Sequence, residues 1–149
     1  MFDQASRLRK LASGQEPAFR KNMRTIAVAS GKGGVGKTNL VVNLALALVD
    51  YNYRVVIMDG DVGLANVDIA FGITPRYNLR HLLFEEKKIE EIIYPVEKGI
   101  MVLPGASGVS ELANLSKEQL RNVLINLGRL EKIADILLID TGAGIGNNV

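Results

Sequence analysis

Gly31-Lys32-Gly33-Gly34-Val35-Gly36-Lys37-Thr38 fits the pattern G-x-x-x-x-G-K-[ST] without a gap. The residues on either side supply the setting this pattern needs. Residues 25–30 (TIAVAS) form a short apolar run, as expected of a strand buried on both faces. Residues 37–50 place Leu40, Val41, Leu44, Ala45 and Leu48 on one helical face. Strand, glycine loop and helix in that order make a cradle for a phosphate chain. Successive backbone N–H groups supply donors, glycines let the backbone approach, and the helix turns its positive end to the anion. Lys37 is expected to reach the β and γ phosphates, and the Thr38 hydroxyl to sit on Mg²⁺. The motif points to a nucleoside triphosphate and leaves ATP and GTP open.

Working outward, strands and helices alternate. Asn52 suits the left-handed position that closes the first helix. Residues 54–58 (RVVIM) read as a second buried strand ending at Asp59, followed by a loop over 60–66. Short helices are expected within 67–71 and 78–93, separated near Pro75. Residues 100–103 (IMVL) form a third strand. Ser116-x-x-Gln119 is a capping box that opens a strong helix. Its stripe of Leu120, Val123, Leu124, Leu127 and Leu130 reads as core rather than as a groove for a partner. Residues 136–139 (ILLI) form a fourth strand ending at Asp140, the Walker B arrangement whose carboxylate holds Mg²⁺, usually through water. The fold class is therefore α/β, a P-loop nucleotide-binding fold on a parallel sheet.

Composition narrows the function classes. The 149 residues are 48% hydrophobic and 23% charged, the proportions of a single globular domain. The net charge of +2 does not suggest wholesale coating of nucleic acid or membrane. Charge is unevenly spread, however. Residues 1–24 carry six basic side chains against two acidic ones, a local +4, which leaves −2 for the rest. There is no cysteine, so disulfides and thiolate metal sites are excluded. No apolar run approaches the roughly 18 residues that span a bilayer. The first residues lack the apolar stretch of a secretory signal. His81, the single histidine, has no neighbouring ligand set in sequence and reads as an ordinary helix residue.

The string S-G-K-G-G-V-G-K-T, with its second lysine at Lys32, is similar to the deviant Walker A loop of the MinD/ParA/nitrogenase-iron-protein ATPases. The residues after strand two, Asp59-Gly60-Asp61-Val62-Gly63-Leu64-Ala65-Asn66-Val67-Asp68, look like that family's switch I, D-x-D-x-G-x-x-N-x-D. Asp140, Ala143 and Gly144 match its switch II, D-x-x-A-G, with Gly142 where many relatives carry proline. The resemblance implies ATP/ADP and Mg²⁺ as cofactors. It implies nucleotide binding by Gly31, Lys32, Gly33, Gly34, Val35, Gly36, Lys37, Thr38 and Asn39. Thr38 and Asp140 would hold the metal, with Asp61 a further candidate ligand. Lys32, Lys37 and Asp61 would be the catalytic set: Asp61 orients the attacking water, and Lys32 reaches across an ATP-bound homodimer to the partner's nucleotide. Asp59 and Asp68 would be structural. The implied strand order sets the third strand beside the second, then the fourth, then the first, leaving the first as an exposed edge.

Residues 3–13 read as a short amphipathic helix with Asp3 as N-cap and Gly14 as stop, and residues 14–24 as a linker. Asp3-Gln4-Ala5-Ser6-Arg7-Leu8-Arg9 resembles the D-Q-A-x-x-L-R arm of the family's flagellar-number regulators, the FlhG (YlxH, FleN) group. In that group the arm binds the GTPase FlhF and stimulates its hydrolysis. The resemblance thus implies partner contacts through Asp3, Gln4, Ala5, Leu8 and Arg9, with Gln4 assisting at the GTPase site. It divides the chain into an activator helix and linker, 1–24, and the N-terminal part of a MinD-like ATPase domain, 25–149. Relatives of this kind run on for roughly another hundred residues, with further strands, base recognition and a C-terminal amphipathic membrane helix. The chain is accordingly expected to be an N-terminal portion, an incomplete domain with weak or no hydrolysis alone. In the whole protein a cytoplasmic location with peripheral membrane association is expected, with flagellar basal-body components as further partners and no DNA partner. The alternative family reading is a MinD-type cell-division or ParA-type partitioning ATPase.

Overall fold

The computed structural model describes residues 22–61, 66–106 and 115–143. Five strands form one sheet: β1 (Arg24–Ser30), β2 (Val55–Gly60), β3 (Tyr94–Pro95), β4 (Met101–Leu103) and β5 (Ile136–Ala143). Their order is β1-β5-β2-β4-β3. Pairing is parallel except for β3 against β4. The four parallel strands stand in the order that the family resemblance implies. β3 was not anticipated: it is two residues long, one of them a proline, and sits at an edge, where proline costs no ladder bond.

Among the described residues the α-helices are α1 (Lys37–Asp50), α2 (Val67–Phe71), α3 (Leu79–Leu83), α4 (Ile89–Ile92) and α5 (Lys117–Arg129). Side chains alternate across the pleat, so one strand feeds two cores. Val55 and Ile57 of β2 join Ile136 and Leu138 of β5 and Val41 and Ala45 of α1 on one side. Val56, Leu103 and Leu137 meet α3, α4 and Leu130 on the other. Both faces of β2 are buried, as its uninterrupted apolar sequence requires. β1 differs. The reading of residues 25–30 as a strand buried on both faces needs correction: β1 forms one edge among the described strands, and Arg24 to Ala27 are exposed.

α1 has the bounds read from the sequence. It closes where Asn52 takes φ 65°, its N–H donating to the Val49 carbonyl at 2.8 Å. β1 starts at Arg24, one residue before the expected start. The capping box of α5 is present, Ser116 and Gln119 each bonding the other's backbone N–H. The core stripe read along this helix needs correction. Leu120 is 48% exposed and Leu124 59%, whereas Val123, Asn126 and Leu130 are buried. The apolar stripe spans about a third of the helix circumference, and only its Val123 and Leu130 edge, with the neighbouring Asn126, turns inward, which periodicity alone does not say. The buried Asn126 amide holds its place by donating to the Asn122 carbonyl and side chain. The N-terminal arm, residues 62–65 of the switch I motif and Gly144 lie outside the described residues.

Candidate functional site

The loop between β1 and α1 places glycine where other residues would be strained. Gly34 and Gly36 take φ 71° and 94°, the left-handed region. Gly36 is the N-cap of α1 and supplies no side-chain cap, so the first N–H groups of the helix stay open toward the loop. That is the arrangement of an anion cradle. A cleft of about 600 Å³ lies there. Its floor is Gly33, Gly34, Gly36, Lys37, Thr38 and Asn39. Its far wall is Asp61 and Thr141 with Asn66, Ile69 and Ala70 at and within α2.

Asp140 stands behind this floor within β5, three residues before its end, and is 1% exposed. The Thr38 hydroxyl donates to Asp140 Oδ2 at 2.6 Å, a short charge-assisted bond. The other oxygen, Oδ1, is buried and has no hydrogen-bond partner among the described residues. Burial pushes the Asp140 carboxyl above its usual range; the Thr38 hydroxyl and Lys37 pull it down, and Asp61 pushes it up. A buried carboxylate oxygen without a donor is costly and calls for an explanation. Beside a threonine hydroxyl at the mouth of a phosphate cradle, it fits a hard divalent cation that completes its shell with phosphate oxygens and water. Among the described residues no cluster of three or more His, Cys, Asp and Glu forms a self-sufficient metal site.

β5 changes register against β1 just past this point: Val28 pairs with Asp140 but Ser30 with Ala143. The extra residue is a bulge, and the Thr141 hydroxyl anchors it by donating to the Val28 carbonyl at 2.8 Å. Bulges of this kind re-aim side chains next to functional sites. At Gly142, an added Cβ would lie 3.5 Å from Asp61 Oδ1, an ordinary contact, so space alone does not demand glycine there.

Asp59, 1% exposed, pairs in register with Asp140 across β2 and β5. Its carboxylate accepts three backbone N–H groups: Asp61 at 3.0 Å, Asn66 at 2.9 Å and Val67 at 3.1 Å. Burial nevertheless raises its pKa to about 6, against the pull of those bonds and with a push from Asp140. The sequence marked Asp59 as structural. The triple backbone contact was not legible, because two of its donors, Asn66 and Val67, lie seven and eight residues further along.

The structure therefore brings Gly33, Gly34, Gly36, Lys37, Thr38, Asn39 and Asp61 together around one cleft, with Asp140 behind Thr38. Gly31, Lys32 and Val35 do not line it. Lys32 is exposed on the rim, and its carbonyl accepts from the Ser30 hydroxyl at 2.7 Å. Asp3, Gln4, Ala5, Leu8 and Arg9 lie outside the described residues. No helix among the described residues is long and apolar enough to cross a membrane.

Comparison with known proteins agrees with this geometry. Residues 23–147 match the AAA domain family model. The flagellum site-determining protein YlxH of Helicobacter pylori is 39% identical over 98% of this chain and 51% of its own length. The antiactivator FleN of Pseudomonas aeruginosa is 40% identical over 85% of this chain and 45% of its own length. The solved structure of the septum site-determining protein MinD from Pyrococcus horikoshii, complexed with Mg-ADP, is 29% identical. It superposes with a TM-score of 0.68, covering 85% of this chain and 51% of that one. The chain spans about half the length of the relatives it matches. With its phosphate loop, parallel sheet and buried β5 carboxylate, this chain belongs to the AAA-domain family of MinD- and ParA-like ATPases.

Proposed function

We propose that this chain carries the nucleotide site of an ATP-dependent switch in which Gly31 to Asn39 bind Mg·ATP. The observation that carries this reading is the Thr38–Asp140 pair with its unpartnered buried oxygen. Thr38 and Asp140 would hold Mg²⁺, which supplies positive charge against the phosphates when bound. Lys37 adds charge at the β and γ phosphates, and the N-terminus of α1 adds its aligned N–H groups. Asp61, on the opposite wall, is the residue suited to orient a water for attack. Lys32, exposed on the rim, is available to a second copy, and its role is charge stabilisation in trans within an ATP-bound homodimer.

The test is a calorimetric titration of the chain with Mg·ATP and Mg·ADP. Saturable binding is expected, weakened about 100-fold or more in Lys37→Ala. Equal binding by wild type and Lys37→Ala would overturn the assignment.

At the level of biology, we favour a flagellar-number regulator over a MinD-type division or ParA-type partitioning ATPase. The match to YlxH covers 98% of the chain, whereas two MinD matches cover 82% of it. On this reading residues 1–24 stimulate an FlhF-type GTPase. A peptide of residues 1–24 should raise that hydrolysis and its Gln4→Ala version should not; an inert wild-type peptide would sink the arm assignment.

A further inference from the structure

We infer that Asp59 is the positioning residue of the site, a clamp whose single buried carboxylate holds Asp61 and the start of α2 in one geometry at the cleft wall. This rests on the reading of the cleft as a nucleotide site. Asp59 itself does not line the cleft, so it acts through the residues it holds.

One carboxylate oxygen accepts the Asp61 N–H, and the other accepts those of Asn66 and Val67. Asp61 and Asn66 thus bond the same side chain. α2 has no cap of its own, since the Asn66 side chain makes none. Asp59 caps it from another element, satisfying N–H groups that would otherwise be orphaned at the helix start. Asn66, Ile69 and Ala70 line the cleft, so the cap also sets that wall. The clamp is itself fixed from behind. A Cβ at position 105 would lie 2.6 Å from the Asp59 carbonyl oxygen, so the backbone leaving β4 abuts Asp59 and only glycine fits. Asparagine at 59 would keep the shape but turn an NH2 group toward backbone donors, leaving at least one of the three N–H groups without an acceptor.

The test uses the full-length protein and its Asp59→Asn and Asp61→Asn variants. Backbone amide exchange is read by NMR, Mg·ATP affinity by calorimetry, and turnover by phosphate release. In wild type the Asp61, Asn66 and Val67 amides should be protected. In Asp59→Asn at least one of them should exchange about ten-fold or more faster, with Val56, Ile57 and Leu138 unchanged. Mg·ATP affinity should stay within about three-fold while turnover falls about ten-fold or more, a split that a merely structural role would not produce. The double variant should be no slower than Asp61→Asn alone, because both changes remove one function. Unprotected amides in the wild type, full protection in Asp59→Asn, or loss of protection in every strand together would each overturn the clamp. Turnover unaffected by Asp61→Asn would instead overturn the hydrolysis reading, and the amides would still decide the clamp.

Discussion

At the lower end of the β2–β5 pair, Arg54 and Asp135 satisfy each other; at the upper end, Asp59 and Asp140 carry like charge side by side. The Arg54 guanidinium meets both Asp135 oxygens at 3.0 and 3.2 Å, and its backbone N–H adds a bond at 2.9 Å. Its remaining nitrogen donates to the Lys132 carbonyl. The Asp135 pairing holds the Arg54 pKa above its ordinary value. At the upper end burial raises both carboxyls, and one Asp140 oxygen has no partner. The same two strands thus begin in a closed ionic knot and end in an open one. The contrast teaches where to look for function. A polar cluster with every bond made serves stability, and one with a bond left over is built for something else to bind.

The largest expected break is at the upper end. Unfolded, the Asp59 carboxyl gives up its proton near pH 4, as a free aspartate does. Folded, it keeps the proton up to about pH 6. The native state therefore binds more protons between these values, and stability from this group falls as pH rises through that window. Asp59→Asn carries no such proton. The stability gap between wild type and variant should shift against wild type by about 3 kcal/mol from below pH ~4 to above pH ~6. Denaturant unfolding at the two ends of the window measures this, and a flat gap would contradict it.

A smaller effect is expected at the lower end. Arg54→Ala should cost about 1 kcal/mol, because the pair is half exposed on the arginine side yet leaves a mostly buried Asp135 short of donors. Nucleotide affinity should not change, since the pair lies at the far end of the sheet from the cleft. A change in affinity comparable to that of Lys37→Ala would erase the distinction between the two ends.

Much of this was legible in the sequence, for reasons that differ by element. The loop and α1 were readable because glycine at positive φ, the Lys37–Thr38 pair and the Asn52 stop are all local signals. β2 and β5 were readable because burial on both faces demands unbroken apolar runs. The inward face of α5 was not readable, since Leu120 and Leu124 continue its stripe but face outward. Nor was the Asp59 clamp, whose donors at Asn66 and Val67 lie seven and eight residues away, or the pairing of Tyr94–Pro95, which β4 imposes. Local chemistry writes itself into sequence; contacts that join distant segments do so weakly.

Asp140 is the residue on which the proposed metal–nucleotide site depends. The most direct measurement is ADP affinity with and without Mg²⁺, on the wild-type chain and on Asp140→Asn, which keeps an oxygen for the Thr38 hydroxyl. We expect Mg²⁺ to tighten binding about ten-fold or more in wild type and hardly at all in the variant. The same Mg²⁺ dependence in both would contradict the claim that the open end of the β2–β5 pair is a metal–nucleotide site.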